Sequence, residues 1–293
     1  MNYTANKILI PIGFSEQSMV ALDQGINLAR IKNSEIVLLS VLEERSPMLQ
    51  LFLGDEEEDL KDKILLKLDK IATEYKERYS VEIETMVARG SVYDKICEVS
   101  EMVNASLIVM GTNGSPQGIS KKFIGSNAEK VVRSSKSPVI TIKGKAHKDG
   151  CDNIILPLDL TKETKEKVTY AIEYARYWDA TVRVVSVILE NKQNTRSHLQ
   201  TNLDQVERFI KKAGVKCTAE LLEGKRKMSM AEFILSYEKK YESDLIMIMT
   251  KKEESLSDSL SVTARSLIYY SEIPVMSIHP RARKHFTRPT IAF

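Results

Sequence analysis

Along the chain, short unbroken apolar runs alternate with longer stretches in which apolar residues recur every three or four positions. Lys7 to Ile12 is a continuous apolar run bounded by Pro and Gly, the pattern of a strand covered on both faces. Ser15 to Ile31 follows, with Val20, Leu22, Ile26 and Leu28 at helical spacing behind a Ser15 cap. The series continues with a strand from Ile36 to Leu42, a long helix from Glu56 to Arg78, and a strand from Val81 to Val87. A helix from Val92 to Met102, a strand from Ser106 to Met110, a helix from Ser126 to Ser134 and a strand from Pro138 to Ile142 complete it. Such alternation needs crossover connections, and right-handed crossovers build a parallel sheet with helices on both faces.

The same series is then repeated. A shift of 146 places Pro11 on Pro157, Ser15 on Thr161, Ala29 on Ala175, Arg30 on Arg176, Ser40 on Ser186 and Val41 on Val187 without a gap. Further on, Leu107 to Met110 faces Leu245 to Ile248 at a shift of 138, and Ser137-Pro138-Val139 faces Ile273-Pro274-Val275 at 136. The drift means loop insertions inside one shared architecture. The expected fold class is therefore α/β, with two tandem doubly wound domains, each a five-stranded parallel sheet flanked by helices. The domains are expected at 1–145 and 150–280, joined by a polar stretch, with a basic tail over 281–293 read as a disordered terminus. In this class ligands settle outside the carboxyl ends of the strands, so the turns after Ile12, Val41 and Met110 are the places to search.

Composition narrows the function classes. Hydrophobic residues make up 43% and charged residues 28%, ordinary for a globular protein. No apolar stretch reaches the roughly 18 residues of a membrane span, and no signal-peptide pattern opens the chain, so a cytoplasmic location is expected. A net charge of +3 from 43 basic and 40 acidic residues gives no pull toward nucleic acid or membrane. Cys97, Cys151 and Cys217 are widely spaced without a CxxC, which points to buried small hydrophobes and away from disulfides or zinc. His147, His198, His279 and His285 show no metal-ligand spacing, and no Ser/His/Asp or Cys/His set can be assembled. The expectation is a binding protein, with weak hydrolase activity as an open alternative.

The richest chemistry follows the fourth strand. Gly111-Thr112-Asn113-Gly114 leads through Ser115 to Ile124 into Gly125-Ser126-Asn127-Ala128-Glu129, which opens a helix. Glycines let backbone N–H groups approach an anion, and a helix start offers unpaired N–H donors and about half a positive charge. Ser126 with Glu129 fits a capping box, which would start the helix near Ser126. Together these suit a phosphate chain.

On these residues, with Ile108-Val109-Met110 before them and Ser137-Pro138-Val139 after, the chain resembles the universal stress proteins in their tandem form. The resemblance covers nearly the full length to about residue 280. It implies a Rossmann-like, adenine nucleotide alpha hydrolase-like fold and a role in stress response. It also implies ATP or another adenine nucleotide, with magnesium, held in the first domain by Pro11, Gly13, Val41, Met110, Gly111, Gly114, Gly125, Ser126 and Asn127. Family members pair through the last strand, so residues 138–142 and 274–278 would join as an internal pseudo-dimer. A homodimer and a protein partner are further implications; a membrane partner is not.

Two departures from the family pattern stand out. The loop between the second and third glycines has ten residues, Ser115 to Ile124, where the family has nine. Binding members also carry an acid two residues after the strand-one proline, and here that place holds Gly13. The second copy keeps Asp159 after Pro157-Leu158 but replaces the glycines with Lys251-Lys252-Glu253-Glu254, so nucleotide binding there is not expected.

Several of these residues have plainer readings. The glycines also serve tight turns, Val41 and Met110 also serve core packing, Asp159 also serves as a turn residue, and Lys121 and Lys122 read as a solvated pair. The alternative function is a protein-interaction module of the same fold without nucleotide.

Overall fold

A computed structural model of the chain describes residues 6–43, 56–112, 125–143, 148–158, 164–188, 193–223, 228–250 and 260–279. In the first half the elements are β1 (Lys7–Pro11), α1 (Glu16–Lys32), β2 (Glu35–Leu42), α2 (Glu56–Tyr79), β3 (Ile83–Arg89), α3 (Val92–Met102), β4 (Leu107–Gly111), α4 (Ser126–Ser134) and β5 (Val139–Ile142). The second half repeats the order with β6 (Asn153–Pro157), α5 (Thr164–Trp178), β7 (Thr181–Ile188), α6 (Gln193–Lys212), β8 (Cys217–Glu223), α7 (Met230–Lys240), β9 (Leu245–Met249), α8 (Val262–Tyr270) and β10 (Val275–Ile278).

Each half is a five-stranded parallel sheet, and the two sheets fuse into one of ten strands, ordered β3-β2-β1-β4-β5-β10-β9-β6-β7-β8. The join is the single antiparallel pair of the described sheet, β5 on β10, with Val275 facing Thr141, Met276 facing Ile140 and Ser277 facing Val139. Joining there removes two edges that would otherwise expose unpaired backbone groups. The pairing lies where the last-strand resemblance placed it.

Alternate strand residues divide between two cores, and both run through the join. On one face Ile8, Ile10, Ile154 and Leu156 pack under α1, α2, α5 and α6, which contribute Leu28 and Tyr174 among others. On the other, Leu9 and Ile155 pack under α3, α4, α7 and α8, which contribute Ile96, Val131, Ile234 and Leu267. Each face also carries a polar clasp between halves. Lys32, with a side chain only 5% exposed, reaches Glu173 at 3.3 Å and lies over the Tyr174 and Tyr177 rings at 4.7 and 5.2 Å. On the opposite face Arg265 meets Glu129 at 3.1 Å.

Two expectations need correction. β3 begins at Ile83 and not at Val81, because Ser80 takes a left-handed φ of 55° after α2 and Val81 is spent packing into the core, 5% exposed. Cys151 and Cys217 are buried, but Cys97 is only partly so. Ser15 caps α1, its Oγ accepting from Ser18 N–H at 3.2 Å.

One buried acid sets a pH dependence. Glu238 in α7 is 5% exposed and accepts from the Ser271 hydroxyl at 3.1 Å; its counterpart in the first half, Ser100, meets the Ser137 hydroxyl at 3.1 Å. Burial raises its pKa above the ordinary value of 4.5, the Ser271 hydroxyl and the Glu272 N–H opposing the rise. The folded state therefore binds this proton more tightly than the unfolded state does, so the stabilisation is complete below 4.5 and is lost as pH rises through the folded pKa. Glu238→Gln is expected to be more stable than the parent at about pH 7 and to lose that advantage by about pH 4, read as urea midpoints at the two values. A parent and variant differing equally at both would contradict this.

Candidate functional site

Strands of the first half run β2 and β3 to one side of β1 and β4 and β5 to the other, so the chain reverses direction between β1 and β4. That reversal opens a crevice at their carboxyl ends. Around it stand Pro11 at the end of β1, Val41 near the end of β2, Met110 and Gly111 at the end of β4, and Gly125, Ser126 and Asn127 at the start of α4.

The local chemistry sorts these residues. Thr112 N–H donates to Ile142 O at 2.9 Å, and Gly125 N–H donates to Thr112 O at 2.7 Å, so the start of α4 is held against the end of β4. Gly125 is the N-cap of α4 with φ −58° and has no side-chain cap. The capping box expected from Ser126 and Glu129 is absent: Ser126 is the first helical residue, and Glu129 turns to Arg265 of the second half. What α4 offers an anion is the exposed Ser126 hydroxyl and the N–H groups of Ser126 and Asn127, since the Ala128 N–H already donates to Gly125 O at 3.0 Å.

Gly111 is required by packing. A Cβ there would lie 3.1 Å from Gln17 Cβ and 3.2 Å from the Gln17 backbone carbon, so the first turn of α1 sits against the glycine. Gln17 also donates from Nε2 to Lys143 O at 2.9 Å, tying α1 to the exit of β5. Met110, 6% exposed, and Val41, partly buried, both pack on the core under α3 and α4.

Gly13 is exposed, and a Cβ on it would meet nothing within 4 Å. The turn is anchored instead by Phe14, which adopts φ 55°, packs on the core, and carries Lys67 Nζ 4.2 Å from its ring centroid. A bulky residue there costs on the order of 1 kcal/mol, recovered through its contacts. Sequence reasoning missed Phe14 and Gln17, which only tertiary contact distinguishes. Gly114, Lys121, Lys122 and Asp159 lie outside the described residues.

At the corresponding mouth of the second half, Ser261 caps α8, its Oγ accepting from Ala264 N–H at 3.1 Å. Lys167 of α5, 7% exposed, donates to Pro157 O at the end of β6. The shift of 146 places it on Ala21, so this mouth holds an ammonium where the first holds a methyl group. That signal is visible in the repeat, as one lysine interrupting an apolar helix stripe.

The model of the universal stress protein family matches residues 4–143 and again 150–279. A universal stress protein of Methanocaldococcus jannaschii is 31% identical over 144 residues, covering 47% of this chain and 81% of the relative. A second from the same organism is 27% identical over 162 residues, covering 50% of this chain and 99% of the relative. Among solved structures, a universal stress protein from Archaeoglobus fulgidus superposes with a TM-score of 0.75 at 21% identity, over 94% of this chain and 97% of the other. Among the described residues no helix is long and apolar enough to cross a membrane, and no group of His, Cys, Asp or Glu is placed to hold a metal ion.

Proposed function

Since the chain belongs to the universal stress protein family and carries its domain twice, we propose that it is a stress-response binding protein holding ATP or another adenine nucleotide in its first domain. The observation that carries this reading is the contrast between the two helix starts at equivalent mouths. α4 opens with Gly125 and an exposed Ser126 hydroxyl, whereas α8 opens with Ser261, whose hydroxyl is spent on the Ala264 N–H, and with Val262. An open first turn draws a phosphate, and magnesium enters with the nucleotide. The adenine lies toward Val41 and Pro11, and the phosphates toward Gly111, Gly114, Ser126 and Asn127.

Titration calorimetry of the full chain with ATP, ADP and AMP in magnesium tests this. Binding is expected for at least one, and Gly125→Asp, which sets a carboxylate beside the phosphates, is expected to weaken it about tenfold or more. Gly13→Asp has room for its side chain and restores an acceptor near the ribose, so tighter binding is expected from it. No heat from any of the three nucleotides would remove the proposal.

A second reading, a protein-contact module without nucleotide, is favoured by two observations. Gly125 N–H is already spent on Thr112 O, and Gly13 offers no acceptor. Under it, Gly125→Asp leaves partner binding intact.

A further inference from the structure

At the end of the first half opposite the crevice, between the last turns of α1 and α2, lies an open cleft of about 420 Å³. Small-molecule sites span about 300–1,000 Å³. Arg30 and Asn33 form one wall, Tyr79 and Glu82 the other, with Ser34 and Glu35 between them. Arg30 is exposed and makes no hydrogen bond or ion pair among the described residues. Ser34 is 8% exposed, and its Oγ has no hydrogen-bond partner. Glu35 is held loosely, 3.9 Å from a Lys7 whose shorter contact, 2.8 Å, goes to Glu84. Glu82 pairs with Lys76 at 2.5 Å, along its own wall and not across the cleft.

The second half shows the same place closed. Arg176, equivalent to Arg30, donates from Nη2 to Ala213 O at 2.6 Å, bridging α5 to the end of α6. Lys216 and Asp179 pair at 2.7 Å and tie the same two walls together. Their counterparts in the first half are Glu82, which follows Val81 as Lys216 follows Val215, and Asn33, at the shift of 146. Asn33 and Glu82 make no such ion pair, Glu82 turning to Lys76 instead, and Arg30 is left uncommitted among the described residues.

We propose that this cleft binds a free α-amino acid, its carboxylate on the Arg30 guanidinium and its ammonium on the Glu35 carboxylate. With Glu35 and Glu82 each beside a lysine, the cleft lacks the net positive charge that a polyanion such as a nucleotide needs, and Arg30 opposes a bare cation. A small zwitterion answers both signs. The Asn33 amide and Ser34 hydroxyl stand beside the charged pair, and the Tyr79 ring with Ala29 and Val81 offers an apolar surface to the amino acid side chain.

Calorimetric titration of the full chain with each standard amino acid, and with acetate and ethylamine as half-ligands, tests the proposal. At least one amino acid is expected to bind, and more tightly than either half-ligand. Arg30→Ala and Glu35→Gln are each expected to weaken it about 10- to 100-fold, the scale of a charged hydrogen bond. The double variant Asn33→Asp with Glu82→Lys installs the wall-to-wall pair of the second half and is expected to abolish binding with the unfolding temperature unchanged or raised. If that variant folds poorly, the two single substitutions decide the matter. No heat from any amino acid, acetate binding as tightly as the amino acid, or an Arg30→Ala variant with parental affinity would each overturn the proposal.

Discussion

Met276→Asp is expected to destroy the cooperative fold of the whole chain, with a loss of more than about 4 kcal/mol. Met276 is fully buried in β10, faces Ile140 of β5 across the antiparallel join, and belongs to the core that runs beneath both halves. A carboxylate there has no cation to pair with and no water to solvate it, so it must either take up a proton or force the strands apart. Both routes destabilise the two halves together, because the join is common to both sheets. Met276→Leu preserves volume and is expected to cost less than about 1.5 kcal/mol, separating charge from shape. Urea unfolding followed by circular dichroism measures each. An Asp variant that unfolds within about 1 kcal/mol of the parent would mean that the join contributes little.

Gly25→Leu is expected to destabilise by about 3 kcal/mol or more, although leucine is the better helix former. Gly25 lies in the middle of α1 where the helix presses on β1 and β4. A Cβ there would sit 2.3 Å from Ile10 Cδ1 and 3.2 Å from Ile10 Cγ1, with Val109 Cβ at 4.0 Å. A larger side chain would have to displace Ile10 and crowd Val109. Gly25→Ala sets two effects against each other, a helix-propensity gain of about 1 kcal/mol and an overpacking cost of about 1–3 kcal/mol, with a net loss expected. Ile10→Val removes the obstructing Cδ1 and costs about 0.5–1.5 kcal/mol alone. The double variant should then lose less than the sum of the two, by at least about 0.5 kcal/mol in a double-mutant cycle. Strict additivity would show that the contact is not what requires the glycine. At the equivalent position the second half carries Ala171, fully buried, so the architecture itself accepts one methyl group there.

Much of the fold is legible in the sequence, because buried parallel strands leave an unbroken apolar run and the helices over them leave an apolar stripe. The α3 and α4 boundaries follow from that contrast alone. The start of β3 does not, since Val81 is apolar for the core and not for the sheet, and Ser80 gives no sequence sign of its left-handed turn. The helix entry at Gly125 misled for a related reason. Ser126 and Glu129 have the spacing of a capping box, but Glu129 finds Arg265 from the other half, a partner 136 residues away that local spacing cannot show. Gly111 reads in the sequence as a phosphate glycine, and it is also packed against the first turn of α1, a contact that rests on where Gln17 falls. The Arg30 cleft was invisible for the same reason: its character depends on a tie between two walls that the second half makes and the first does not.

The antiparallel seam between β5 and β10 has a consequence for how this molecule changes over generations. When identical subunits meet about a two-fold axis, every substitution appears on both sides at once, and a contact between two unlike residues off the axis must occur twice or not at all. Here the partners are written separately in one gene, and Lys32 can meet Glu173 while the mirror-related positions hold Asn27 and Trp178. Covalent linkage also fixes the pairing at one to one at any dilution. The two lobes are thereby free to specialise without ever losing each other.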